Sequence, residues 1–169
     1  MAVENPSTQD PLDVRHDTFT VQRDLDAPAS AVFAAFTDTP IRRRWFRLPG
    51  SGDVYEHDFR VGGGELAEGT FRTPDAAPER LAYRSRYLDI VPDRRLVFTY
   101  ESVVDDVLRW VSLTTILLRT LAERRSALSW TEQVAFVSRT GDGSADLAHL
   151  RGATSLRLNG LEAALESTT

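Results

Sequence analysis

The sequence has no cysteine and no lysine. The first absence excludes disulfides, thiolate metal sites, iron–sulfur clusters and a cysteine nucleophile. The second excludes a Schiff-base lysine and a phosphate-loop lysine, since all 20 basic residues are arginine. Apolar runs are only a few residues long, so no segment reads as a bilayer span, and the opening residues MAVENPSTQD lack the basic-then-apolar pattern of a secretory signal. Net charge is −5, which argues against general nucleic-acid binding. These absences lead to the expectation of a cytoplasmic protein that inserts into no membrane. What is present is ordinary globular material. Hydrophobic residues are 41% and charged residues 27% of 169 positions, too apolar for a disordered chain and long enough for one well-filled core.

Residues 1–16 hold Pro6, Pro11 and little apolar material, and read as a flexible leader to a single domain over residues 17–169. From Asp17 to Leu25, apolar Phe19, Val21 and Leu25 are spaced as in a half-buried strand. Pro28–Phe36 is alanine-rich with Val32 and Phe36 four apart, which predicts a short helix, and a second starts near Ile41 after Asp38-Thr39-Pro40. Leu48–Gly52 reads as a loop. Tyr55, His57, Phe59 and Val61 alternate with polar residues, and Gly62-Gly63-Gly64 turns the chain into a strand reaching Phe71. Strands over 81–91, 96–104, 108–121 and 127–137 follow with short connections, hence an antiparallel meander.

The last segment is helical from Ala145 to Glu166, with Ser144 as the expected cap. Leu147, Leu150, Thr154, Leu158, Leu161 and Leu165 fall on one stripe about 80° wide. A meander must bury its apolar face, and that stripe is the one large apolar surface on offer. The expected fold is therefore α+β: a curved seven-stranded antiparallel sheet wrapped around a long C-terminal helix, with two short helices after the first strand. A sheet that wide must curl, and a curled sheet leaves a gap against its helix.

Strand parity selects the residues that face such a gap. Arg109 and Arg119 are best left in water, which turns Trp110, Ser112, Thr114, Ile116 and Leu118 inward. Tyr83, Ser85 and Tyr87, then Phe98 and Tyr100, then Leu128, Trp130 and Glu132 follow by the same rule. Many aromatics with few polar groups are the make-up of a small-molecule site, although the same aromatics also suit a close-packed core. The candidate ligand-binding residues are Trp45, Phe59, Phe71, Tyr83, Tyr87, Phe98, Tyr100, Trp110, Trp130, Glu132, Leu150 and Thr154.

Glu132 is the most informative acid. Facing inward it must find a partner for its charge, and could orient a ligand or move a proton; at a bulged strand end it would be solvated. Thr154 either presents its hydroxyl to the gap or bonds back to the Leu150 carbonyl. His16, His57 and His149 have no metal-ligand spacing; His149 lies off the stripe, and His57 shares parity with Tyr55 and Phe59. Arg42-Arg43-Arg44 reads as a solvated helix face. The glycine run is followed by a strand rather than a helix, so it is no phosphate loop, and no Gly-x-Ser-x-Gly elbow occurs. No catalytic residue, metal or cofactor is called for.

Taken together, these motifs resemble the START-like, birch-pollen-allergen (SRPBCC) superfamily, and within it homologues of the activator of the ninety-kilodalton heat-shock protein ATPase. The matching pieces are Leu25-Asp26-Ala27-Pro28, Val32-Phe33, Phe36-Thr37-Asp38, Arg44-Trp45-Phe46, Asp58–Gly63, Tyr87–Pro92, Arg95–Tyr100 and the tail His149-x-x-Gly152 with Leu158-x-x-Leu161. The resemblance implies a helix-grip fold with a hydrophobic tunnel between sheet and helix. Family members usually carry an aromatic residue after the glycine of the last helix; Ala153 stands there in this chain, which implies a reshaped cavity end. Three functions are in play: binding of a hydrophobic or amphipathic small molecule; cyclase or dehydratase chemistry on a polyketide-like or aromatic substrate, as in some relatives; and chaperone ATPase regulation, suggested by the family alone. Leu156, opposite the stripe, marks a candidate homodimer surface.

Overall fold

The computed structural model describes residue 10 and residues 12–167. The chain runs β1 (Arg15–Leu25), α1 (Ala29–Thr37), α2 (Thr39–Trp45), β2 (Ser51–His57), β3 (Glu65–Phe71), β4 (Glu79–Val91), β5 (Arg95–Val104), β6 (Val107–Ala122), β7 (Arg125–Phe136) and α3 (Asp146–Glu166). The leader expected over residues 1–16 falls largely outside the described residues; β1 opens at Arg15.

All neighbouring strands pair antiparallel in the order β1-β7-β6-β5-β4-β3-β2. Hairpins join β2 through β7 in sequence, and β1 closes onto β7 at the far edge. One of the two-residue connections is Asp105-Asp106, with both residues at positive φ (49° and 65°), the backbone that such a hairpin needs to match strand twist. α3 rests on α1, α2 and β1 and spans the concave side. Its buried positions are Leu150, Thr154, Leu158 and Leu161, with Ala164 and Asp146 at the ends, while Leu156 on the opposite side is 71% exposed. This is the helix grip: a bent sheet closed by one long helix.

Alternation predicts the inward face of the sheet correctly. Tyr83, Tyr87, Phe98, Tyr100, Ser112, Thr114, Ile116, Leu118, Leu128, Trp130 and Glu132 are all buried. Local chemistry departs from expectation in three places. β2 begins at Ser51, inside the expected loop, and ends at His57, so Phe59 lies in the connection rather than in the strand. Ser144 does not cap α3: its Oγ–H donates to Asp142 Oδ1 at 2.7 Å, and the N-cap is Ala145 without a side-chain bond. Arg42 is not solvated. It is 2% exposed, because Glu65 across the fold neutralises it.

Candidate functional site

Between the N-terminal half of α3 and the concave face lies a recess of about 310 Å³. Leu81, Ala82 and Tyr83 of β4, Tyr100, Ser102 and Val104 of β5, Trp110 of β6 and Phe136 of β7 form one wall. Leu150 and Ala153 of α3 face them, and Leu48-Pro49 borders one side. Ala153 thus sits where the sequence departs from the resembled pattern, and its single methyl leaves space that a ring would fill. Deeper along the helix the space is closed. Phe98, Ile116, Trp130, Leu158 and Leu161 are each at most 2% exposed, and Phe98 meets Trp130 edge-on at 6.0 Å.

A hydrogen-bonded chain runs beneath the floor. Trp110 Nε1–H donates to the Tyr100 hydroxyl at 3.1 Å, and that hydroxyl donates to Glu132 Oε1. Ser112 Oγ–H reaches the same oxygen at 2.6 Å, and Trp130 Nε1–H donates to Oε2 at 3.2 Å. Glu132 is 0% exposed, so its inward placement rather than a solvated bulge is what the fold adopts. Three donors offset its desolvation in place of a cation. Burial and the adjacent Glu132 push the Tyr100 phenol well above its ordinary range, which keeps it a neutral donor.

The second polar cluster holds α2 to the sheet. Arg42 Nε–H and Nη2–H donate in parallel to Glu65 Oε1 and Oε2 at 2.7 and 2.8 Å. The guanidinium lies 4.3 Å from the ring centroids of both Trp45 and Phe46 and 5.4 Å from that of Phe36. Tyr55 donates to Glu65 Oε1 at 2.7 Å, and the Ser85 hydroxyl accepts the Glu65 N–H at 2.9 Å. Burial works against both charges, but each holds the other ionised: Arg42 lies above its usual range and Glu65 below the usual carboxylate range. His57 is half-buried between Thr39 Oγ1 (3.0 Å) and the Tyr87 hydroxyl (3.2 Å), and burial depresses its imidazole. Sequence reasoning missed Glu65. Nothing local distinguishes it, because its partner lies 23 positions away.

Of the candidates, Tyr83, Tyr100, Trp110 and Leu150 border the recess. Trp45, Tyr87, Phe98 and Trp130 are buried in the packed core, Phe59 packs on Tyr87 at 4.8 Å, and Phe71 is half-buried at the end of β3. Thr154 is 0% exposed, does not border the recess, and its hydroxyl has no hydrogen-bond partner among the described residues, the Leu150 carbonyl included. Arg109 corrects the parity reading. Expected in water, it is half-buried and borders the recess, because β6 carries an extra residue there: Ser102 pairs with Trp110 and Val103 with Leu108, leaving Arg109 bulged between them.

Residues 26–166 match the sequence pattern described as Activator of Hsp90 ATPase homolog 1-like protein, which takes in every element except β1. The chain belongs to that family. Its fold is the START-like (SRPBCC) helix grip, a scaffold that binds ligands in general. Among solved structures, a protein of Rhizobium leguminosarum is 31% identical with a TM-score of 0.78, covering 92% of this chain and 97% of its own. A protein of Rhizobium loti is 36% identical with a TM-score of 0.72, covering 90% of this chain and 99% of its own. A third, from Chromobacterium violaceum, is 28% identical with a TM-score of 0.64 over 88% of this chain and 97% of its own. No functionally curated protein matches the sequence. No helix among the described residues is long and apolar enough to cross a membrane.

Proposed function

We propose that this family member binds a small, mainly apolar molecule in the recess between α3 and the concave face. The observation that carries the reading is a space of about 310 Å³ walled by Tyr83, Tyr100, Trp110, Phe136 and Leu150 beside the small Ala153 of α3. Ligand sites in proteins run from roughly 300 to 1,000 Å³ and combine apolar walls with few polar groups. This one is at the small end, which favours a ligand of two rings or so over a full-length acyl chain.

Cyclase or dehydratase chemistry would need an acid and a base at the ligand. Of the four candidates for such a pair, only Tyr83 borders the recess; Glu132 lies beneath the floor with both oxygens engaged, and His57 and Tyr87 do not border it. Chaperone regulation has only the family's description behind it. The test is thermal stabilisation by a panel of two-ring aromatic compounds, repeated on Ala153→Trp, which fills the space. Stabilisation by part of the panel, lost in the variant, is expected. No stabilisation, or stabilisation that survives in Ala153→Trp, would sink the reading.

A further inference from the structure

The charge at the mouth of the recess is opposite in sign to that of the whole chain. The protein carries −5 overall, yet two guanidiniums border this space. Arg157 follows Ala153 by one turn of α3, and its guanidinium lies 5.2 Å from the Phe46 ring centroid. It is half-buried and has no carboxylate within ion-pair distance among the described residues. Arg109 reaches the rim through the β6 bulge, where one of its N–H groups donates to the Thr140 hydroxyl. The other ionisable groups at the mouth are Asp146 and the exposed His149. Both Asp146 oxygens accept the Thr140 N–H, at 3.1 and 3.3 Å, which turns that carboxylate toward the chain.

A cation half out of water and stacked on a ring, with no carboxylate at ion-pair distance among the described residues, is pre-positioned for an anion. A planar guanidinium matches a carboxylate best, through two parallel hydrogen bonds. The bulge adds a second argument, since it spends strand regularity to bring another cation to the same rim. We propose that the recess selects apolar monocarboxylic acids: the ring system lies against Tyr100, Trp110 and Leu150, and the carboxylate sits at Arg157, with Arg109 adding to the field. This inference rests on the recess being a ligand site.

A matched pair of probes separates the two ideas. 2-Naphthoate and 2-naphthylmethanol share a ring system and differ in head charge. Calorimetric titration at neutral pH should show the acid binding roughly tenfold or more tightly, the worth of one charge-assisted bond. Arg157→Gln should erase that preference by weakening the acid at least about tenfold more than the alcohol, with circular dichroism verifying the fold. Raising salt on the unmutated protein should weaken the acid alone, which tests the claim without any variant. Equal binding of both probes, blocked by Ala153→Trp, would overturn the charge selection and leave the recess reading intact. So would a preference for the acid that persists in Arg157→Gln and in Arg109→Gln. Binding of neither probe would overturn both.

Discussion

Arg42 and Glu132 are both ionisable residues in the core, and they reach it by different routes. Glu132 falls on the inward parity of β7 between Trp130 and Val134, so alternation alone places it, and its donors Ser112 and Trp130 lie on the same face. Arg42 was not legible. A basic triplet on a short helix is ordinarily solvated, and only the arrival of Glu65 from β3 makes burial tolerable. Removing one partner of such a pair is the costly change. Arg42→Met should destabilise the fold by about 3–5 kcal/mol, since the Glu65 carboxylate would be left buried with only the Tyr55 hydroxyl. Adding Glu65→Leu should return at least about 2 kcal/mol of that loss, because apolar replacement of a whole buried pair is often close to neutral. Urea midpoints at constant slope measure both. Additive losses in the double variant would contradict the assignment of the pair.

At the scale of elements, the succession of strands along the chain and the apolar stripe of α3 could be read from spacing, because periods of two and of 3.6 need no knowledge of neighbours, whereas the seating of β1 beside β7 could not. Bulges could not. The extra residue at Arg109 depends on how β5 and β6 align, which is a property of the pair. Glycines show the same division. A Cβ on Gly64 would stand 1.9 Å from the Ser85 carbonyl oxygen, backbone that cannot swing aside, whereas nothing lies within 4 Å of one on Gly152. Gly64→Ala should therefore cost about 1–3 kcal/mol through overpacking at the β3–β4 approach. Gly152→Ala, exposed within α3, should stabilise by roughly 0.5–1 kcal/mol through helix propensity. Thermal melts of the two variants should move in opposite directions. Shifts of the same sign would be inconsistent with this reading of either close approach or open space.

For the whole molecule, the α2-to-sheet cluster makes stability depend on acidity. Burial holds His57 below its ordinary 6.5, and Arg42 adds to this while Glu65 opposes it. The unfolded chain therefore takes up that proton first, and acidification below about pH 6.5 favours unfolding. Glu65 is held below its ordinary 4.5 despite burial, through Arg42 and Tyr55. Its contribution is complete above about pH 4.5 and is lost as pH falls through its lower native value. Both effects have the same sign, so thermal midpoints should decline in two stages from pH 8 to pH 3.5. His57→Gln should remove the upper stage and leave the lower. A midpoint that stays level between pH 7 and pH 5 in the unmutated protein would exclude the His57 part.

The sequence by itself determined the order of elements, the inward face of the long strands outside the β6 bulge, and the helix that closes the sheet. These follow from local periodicity and from the need to bury one apolar face. Only the tertiary structure decided which inward aromatics pack solid and which border open space. It also decided that Arg42 is buried and that Arg109 turns to the recess. Each of those outcomes depends on curvature, register or a partner distant in the chain, and a linear pattern of residues carries none of the three.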